Sequence, residues 1–365
     1  MNTLDQDSIM QITAKSLKNI KEFKDHENVS FLFDTQGVYG LISVHKGNQN
    51  TPCFGSTRVR SYNSFLDGLT DALRLSKMMT YKLALARLPY GGGSAVLFHP
   101  PGEPLREDVS STQWFFKKYG KDLLKTPYFF TGSDTGMTTS AFNDIAECSE
   151  QILGKRLDPI KFTGIGIISS LKECLLAYYG TEDLNNRTIL VEGLGKLGCT
   201  LIEHLYSKTK RIIGIDISDE QCKKARAQFP NLEIIKPEDK FKEKVDVYCP
   251  CAYGPSVTKA NISKINTDII IGAANCQLES DELALDLFEK NILYAPDYVV
   301  NSGGVIAVIH EYRTPEIQEE HVYPQVFDIR NTLKTIIADS SMSNVPPLDV
   351  ANKYAIQRIA KLSAH

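Results

Sequence analysis

The chain has 365 residues, 42% of them hydrophobic, with 41 Lys and Arg against 44 Asp and Glu for a formal net charge of -3. That length fits about two domains, since single cores stop growing near roughly 250 residues, and the charge balance leaves no basic stripe for nucleic acid and no polybasic membrane face. Residues 1–7 (Met-Asn-Thr-Leu-Asp-Gln-Asp) lack the basic and apolar regions of a secretion signal, and no run reaches the roughly 18 apolar residues of a membrane helix, so a cytoplasmic protein with small soluble partners is expected.

In chain order, residues 29–33 and 39–44 read as short apolar strands. Residues 64–76 follow with Phe65, Leu69, Leu73 and Leu75 suited to one helical face, a helix that feeds a glycine-rich turn. The turn is Gly91-Gly92-Gly93, with Ser94 exposed at its end, and residues 94–98 form a strand stopped by His99-Pro100-Pro101. Beyond residue 150 the pattern is more regular: a helix from about 165 to 179, a strand over 188–192, a glycine turn, a helix through Leu201 and Leu205, and a strand over 211–216. Strand, helix, strand marks a parallel, doubly wound sheet, extended by the apolar runs 245–248 and 269–271, and the fold class is α/β. The tail reads as two amphipathic helices, one through Val326, Ile329, Leu333 and Ile336, the other through Val350, Tyr354 and Ile359. Eight cysteines without a CxxC read as reduced, mostly buried thiols. Cys249 and Cys251 flank a proline without the ligand spacing that zinc sites need, so no metal site is expected.

The strand over 188–192 runs into Gly193-Leu194-Gly195-Lys196-Leu197-Gly198, and Asp216 ends the next strand eighteen residues beyond Gly198. In that context the first glycine permits a tight turn, the second lets backbone amides approach a pyrophosphate, and the third allows close helix packing. The helix N-terminus then attracts the phosphates. Asp216 is placed to accept from a ribose diol and to repel a 2′-phosphate, which predicts NAD as cofactor rather than NADP. Lys196 also reads as a solvated loop charge.

Five segments carry a family resemblance: Phe54-Gly55-Ser56-Thr57-Arg58; Met79-Thr80-Tyr81-Lys82-Leu83-Ala84 with Gly91-Gly92-Gly93; Ser133-Asp134-Thr135-Gly136; the glycine fingerprint; and a C-terminal block containing Pro250-Cys251-Ala252 and residues 272–278 and 293–304. In order and spacing they resemble the glutamate, leucine, phenylalanine and valine dehydrogenase superfamily, above all its leucine dehydrogenase branch. The resemblance implies an N-terminal α/β substrate-binding and oligomerisation domain over 1–150 and a Rossmann NAD-binding domain over 151–305. It also implies C-terminal helices over 306–365 that bridge the two, a deep interdomain cleft and a homo-oligomer, dimer or higher.

Residue by residue, the resemblance implies that Lys82 binds the substrate α-carboxylate as a point charge and that Asp134 is the general base for the amine and the attacking water. Without it, a lysine after tyrosine is an ordinary helix charge and an aspartate before Thr-Gly an ordinary turn residue. Gly55 and Met79 join the substrate site by position, and Phe54, Gly132, Val305 and Val308 match an apolar pocket that disfavours glutamate. Thr163, Asn275 and Asn301 match neighbours of the nicotinamide, Asn301 also of the substrate amino group. Lys196, Leu197, Cys251, Ala252 and Ala274 complete the cofactor contacts. Ser94 departs from the pattern, standing where the family carries a second catalytic lysine. Serine donates a hydrogen bond but carries no charge, and losing such a group costs roughly 100- to 1,000-fold in turnover. Arg87 and His99 are nearby candidates to replace it. Two readings follow: an NAD-dependent oxidoreductase of apolar amino acids, 2-oxo acids or imines with weakened or altered activity, or a non-catalytic NAD-binding homologue with a regulatory or assembly role.

Overall fold

The computed structural model describes Leu17 and residues 19–35, 37–99, 110–314 and 316–362. The expected stop at Pro100-Pro101 and residues 1–7 lie outside the described residues. The chain divides into two compact units, Met1–Arg156 and Leu157–His365.

The first unit runs β1 (Asn28–Asp34), β2 (Gly37–Val44), β3 (Cys53–Arg60), α1 (Phe65–Leu85), β4 (Gly91–Phe98), α2 (Ser110–Leu123), β5 (Phe129–Ser133) and α3 (Thr139–Ala146). Its described strands form one sheet in the order β1-β2-β4-β3-β5, antiparallel across β1, β2 and β4 and parallel across β4, β3 and β5. Strand alternation sends neighbouring residues to opposite faces. Val96 packs with Leu41 and with Phe65, Leu69 and Leu73 of α1, whereas Ala95 and Leu97 pack with Phe116 and Tyr119 of α2 and Ile145 of α3.

Helix α1 starts where the Ser64 hydroxyl accepts from the Asp67 amide (3.1 Å) and continues nine residues past the expected end at residue 76, because the buried apolar spacing persists through Leu83. It stops at Arg87, whose left-handed φ of 57° lets the Leu88 amide reach the Leu83 carbonyl at 2.9 Å.

The glycine run requires a correction. Gly91-Gly92-Gly93 is the start of strand β4, not a turn, and Ser94 is fully buried in the strand rather than exposed. A Cβ on Gly91 would lie 1.7 Å from the Lys46 carbonyl oxygen, on Gly92 2.1 Å from the Thr80 amide nitrogen, and on Gly93 2.7 Å from the Phe129 ring. The three glycines let the strand press against its surroundings on both faces, a use of glycine within strands that a turn-based reading overlooks.

The second unit runs α4 (Pro159–Tyr179), β6 (Thr188–Glu192), α5 (Lys196–Leu205), β7 (Arg211–Ile215), α6 (Asp219–Gln228), β8 (Glu233–Ile234), β9 (Val245–Pro250), β10 (Thr267–Ile270), α7 (Leu283–Glu289), β11 (Leu293–Tyr294), α8 (Asp297–Val300), α9 (Gly303–Arg313), α10 (Tyr323–Ser343) and α11 (Pro347–Leu362). Its described strands are all parallel, in the order β11-β10-β9-β6-β7-β8. Ile189, Leu190, Val191, Val247, Ile269 and Ile270 are completely buried, as a parallel sheet covered on both faces requires. Helix α4 begins at Pro159, six residues before the expected 165, because Asp158 caps it on the Ile160 amide (2.9 Å) and proline suits a first helical position. Of the eight free cysteines, Cys53, Cys174 and Cys249 are fully buried and the other five are half-buried. No described helix is long and apolar enough to cross a membrane.

Candidate active site

In the first unit the face of the sheet toward α1 carries the chemistry. Gly92 seats the last turns of α1 on β4, and those turns carry Met79 and Lys82, both buried. Ser94 shares the face of Val96. Register places Ser43 beside it on β2, and the pairings Phe54 with Gly92 and Thr57 with Ala95 set Ser56 across from it on β3. Ser43 reaches Ser76 of α1 at 2.9 Å, but the Ser94 hydroxyl is buried without a hydrogen-bond partner. Such an orphan calls for an explanation, because buried polar groups are overwhelmingly paired.

Ser56 pairs with Gly132 of β5, and two residues on, Asp134 closes the same row. Its Oδ2 accepts from Ser56 Oγ (3.4 Å) and Arg58 Nε (3.2 Å) and forms an ion pair with Arg58 Nη2 (3.1 Å). Arg58 is held in turn by both oxygens of Asp71 on α1 (3.0 and 2.8 Å), and Asp71 accepts from the Tyr62 hydroxyl (2.6 Å). Burial opposes the Arg58 charge, but the carboxylates of Asp134 and Asp71 outweigh it, so the guanidinium titrates above its usual range. Phe54 is completely buried, edge-on to Tyr90 (4.8 Å between centroids) and stacked on Phe130 (5.4 Å). A Cβ on Gly55 would meet the Gly93 carbonyl at 1.9 Å, whereas at Gly132 the nearest atom would lie at 3.6 Å, leaving room.

In the second unit the strand order reverses between β6 and β9, the switch point where ligands of doubly wound sheets bind beyond the strand ends. Both expected loops lie there. Gly193, at φ 96°, rests against Cys251 and Ala252, and the Cys251 amide reaches the Glu192 carbonyl at 2.7 Å. A Cβ on Gly198 would sit 1.9 Å from the Gly193 carbonyl oxygen, so this glycine allows α5 to pack on the strand, while a Cβ on Gly195 would meet nothing within 4 Å. Gly195 caps α5 with no side-chain bond, so the first-turn amides beginning at Lys196 and Leu197 have no side-chain cap, the condition for anion binding at a helix N-terminus. Asp216 is pinned by the amides of Leu194 (2.7 Å) and Ser218 (2.8 Å). Each carboxylate oxygen keeps a lone pair for a further donor.

Asn301 donates to the Ala273 carbonyl (3.2 Å) and to Asn275 Oδ1 (3.1 Å), with a longer contact to Ala274 (3.5 Å). Its own Oδ1 is buried without a partner. An orphaned acceptor at Asn301 and an unfilled cradle at Gly195 fit a bound dinucleotide. Thr163 donates to the Pro159 carbonyl within α4 (2.8 Å), and its hydroxyl abuts Gly304. Val305 and Val308 lie one turn apart on α9, half-buried and buried.

Sequence reasoning passed over two residues. Arg58 was visible only as part of a motif, and its partner lies 76 positions away. Ile217 follows Asp216 and is 92% exposed; an apolar residue directly after the acid was the available signal.

Residues 215–365 match the family model described as Glutamate/Leucine/Phenylalanine/Valine dehydrogenase, and residues 30–146 match the Glu/Leu/Phe/Val dehydrogenase dimerisation domain. The leucine dehydrogenase of Bacillus cereus is 31% identical over 346 residues, covering 93% of this chain and 92% of its own. The crystal structure of L-tryptophan dehydrogenase from Nostoc punctiforme superposes with a TM-score of 0.71 at 30% identity, over 93% of this chain and 97% of that one. The hetero-hexameric glutamate dehydrogenase of Thermus thermophilus shares the fold at a TM-score of 0.74 and 19% identity, over 92% and 89% of the two chains. With both family models matched, and with full-length relatives at about this identity, the chain belongs to the Glu/Leu/Phe/Val dehydrogenase family and is an amino-acid dehydrogenase-like oxidoreductase.

Proposed function

We propose that the protein is an NAD-dependent dehydrogenase of L-amino acids with apolar side chains, acting by oxidative deamination or by the reverse reduction of a 2-oxo acid or imine, and slowed by Ser94. The observation that carries this reading is the α1-facing row, where a hydroxyl with no partner at Ser94 lies in one sheet face with the carboxylate of Asp134, beneath the helix that presents Lys82.

Lys82 holds the substrate α-carboxylate as a point charge. Asp134 takes a proton from the α-ammonium and releases it to solvent; once hydride has left Cα it takes a proton from the attacking water and returns it to the departing ammonia. The Ser94 hydroxyl donates a neutral hydrogen bond to the carbinolamine oxygen, where a lysine would add charge. Asn301 Oδ1 accepts from the nicotinamide carboxamide or the substrate amine, which supplies its missing donor. A dinucleotide held at Gly195 and Asp216 would supply the hydride acceptor for oxidation of the substrate Cα. Asp216 takes the ribose diol and leaves a 2′-phosphate facing a carboxylate, so NAD is preferred, and Ile217 offers the adenine an apolar surface. Phe54, stacked on Phe130 and edge-on to Tyr90, gives a second substrate carboxylate no partner, and burying it unpaired is costly. The matched dimerisation domain supports a homo-oligomer.

The test is NADH production from leucine, valine, phenylalanine and glutamate, wild type against Ser94→Lys, with calorimetry of NAD and NADP. Wild-type turnover is expected to be weak, and Ser94→Lys raises kcat at least about tenfold, more than it changes KM. Leucine turnover at ordinary enzymatic rates in the wild type means that another group has taken the lysine's role; glutamate as the best substrate removes the apolar pocket; and tighter binding of NADP removes the role given to Asp216. The buried, uncharged Ser94 also favours a second reading, in which the dinucleotide binds and no amino acid is turned over. In that case NAD binds normally while both wild type and Ser94→Lys are inert.

A further inference from the structure

Asp134 ends the row just described, and the groups facing it come from three directions. Arg58 approaches from β3, with Asp71 of α1 and Tyr62 of the preceding segment behind it, and the hydroxyls of Ser56 and Thr135 flank the carboxylate. Both Arg58 contacts and the Ser56 contact fall on Oδ2. Oδ1 meets only the Thr135 hydroxyl at 3.4 Å among the described residues. The two oxygens are therefore differentiated, one tied into the protein by three contacts and one held by a single hydroxyl.

We infer that Arg58 is the positioning residue of Asp134: it fixes the carboxylate through Oδ2 and presents Oδ1 for proton transfer. This rests on the reading of Asp134 as the general base. Arg58 is 4% exposed and cannot swing away, because Nη1 is clamped by Asp71 on the helix that carries Lys82. A guanidinium stays protonated at any working pH and its planar fork holds two carboxylates at set angles. The ammonium of a lysine has neither property. The cluster of two carboxylates and one guanidinium keeps one net negative charge, which suits a neighbour that receives an ammonium substrate.

A purely structural ion cluster would lower stability and leave the chemistry of the folded enzyme unchanged, so the experiment separates kcat from KM. Arg58→Gln is expected to lower kcat for amino-acid oxidation at least about tenfold, a conservative share of the loss when a positioned group is misplaced, with the amino-acid KM changed by less than about threefold. Arg58→Lys recovers part of the lost kcat, and Asp71→Asn, which frees Nη1 of Arg58, lowers kcat by a smaller factor. A melting temperature that falls in all three variants while kcat of the folded enzyme stays at the wild-type value would overturn the proposal. Should Arg58→Gln fail to fold, Asp71→Asn carries the test, and an unchanged kcat there overturns it. The carboxyl carbon NMR signal of Asp134 at a fixed pH, assigned with Asp134→Asn, reads the contact independently of turnover. A wild type without turnover whose signal still moves in Arg58→Gln removes the assigned activity and keeps Arg58 in its role; normal turnover with kcat and signal both unmoved in Arg58→Gln does the reverse.

Discussion

Glycine does different things at the two ends of this chain. In the second unit Gly193 and Gly198 clear backbone that would otherwise collide, and between them Gly195 faces open space. In the first unit Gly91, Gly92 and Gly93 all clear backbone or ring atoms and face no space at all. A glycine whose absent Cβ makes room for protein is a packing device, and one that leaves an unfilled cradle is a ligand device. The sequence pattern alone does not separate the two.

The same substitution in each unit tests that contrast and has the largest expected effect. Gly198→Ala drives a methyl into the Gly193 carbonyl and shifts the loop on which the phosphates rest, so NAD affinity is expected to fall at least about tenfold, the equivalent of the lower range of an overpacking penalty. Gly92→Ala lifts the end of α1, where Lys82 sits, and turnover is expected to drop on the order of 100-fold, the cost of displacing a positioned group by about an ångström. NAD affinity in Gly92→Ala should change by less than about threefold, within the scatter of single-site surface effects. Calorimetry and steady-state kinetics on both variants check this. Equal loss of NAD binding in the two would break the division.

How much could be read in advance follows from how local each determinant is. The fingerprint is a short run with strand before and helix after, so its three glycines and Asp216 were legible from spacing. The helix at Pro159 had a local signal too, Asp158-Pro159, which the apolar period did not capture. Ser94 was legible as a departure and misread as exposed, because three glycines before a serine are the composition of a loop and only the surrounding backbone shows that they form a strand. Arg58 and Asp134 are 76 positions apart, and no periodicity connects them. Their pairing exists only once β3 and β5 lie side by side.

A second difference between the units concerns acid. Under α1, His26 bonds the Leu73 carbonyl (3.0 Å) and Ser76 (3.1 Å), His45 bonds Thr80 (2.9 Å), and the two rings meet edge-on at 4.9 Å. Burial is the main cause that lowers His26 to about 4, and burial with the nearby His26 lowers His45 to about 3. Both folded values lie below the unfolded 6.5, so the unfolded chain binds more protons on acidification. The stability contributed by neutral burial is complete above about pH 6.5 and is lost as pH falls toward 4, at up to about 1.4 kcal/mol per pH unit for each histidine. Hydrogen exchange at pH 7 and pH 5 should therefore show α1 and β2 losing protection, and His45→Gln should flatten that loss. Protection of α1 that is unchanged between the two pH values would contradict the burial of neutral rings there.

The smallest expected effect lies at the start of the same helix. Ser64 satisfies one of the first-turn amides of α1, that of Asp67, and removing such a cap costs about 1 kcal/mol. In a unit of about 150 residues that corresponds to a drop of roughly 2–4 °C in melting temperature. Ser64→Ala should show that drop, and Ser64→Asp should recover it, because a carboxylate accepts the same bond and meets the positive end of the helix. Asp71 lies in the second turn and Lys82 in the last, so fraying at the cap reaches the clamp on Arg58 before it reaches the lysine. The kcat for amino-acid oxidation should then fall slightly in Ser64→Ala while the KM for the amino acid stays near the wild-type value. A rise in KM without any change in kcat would mean that the helix transmits the disturbance to Lys82 as a rigid rod, and that Asp71 does not couple α1 to the base.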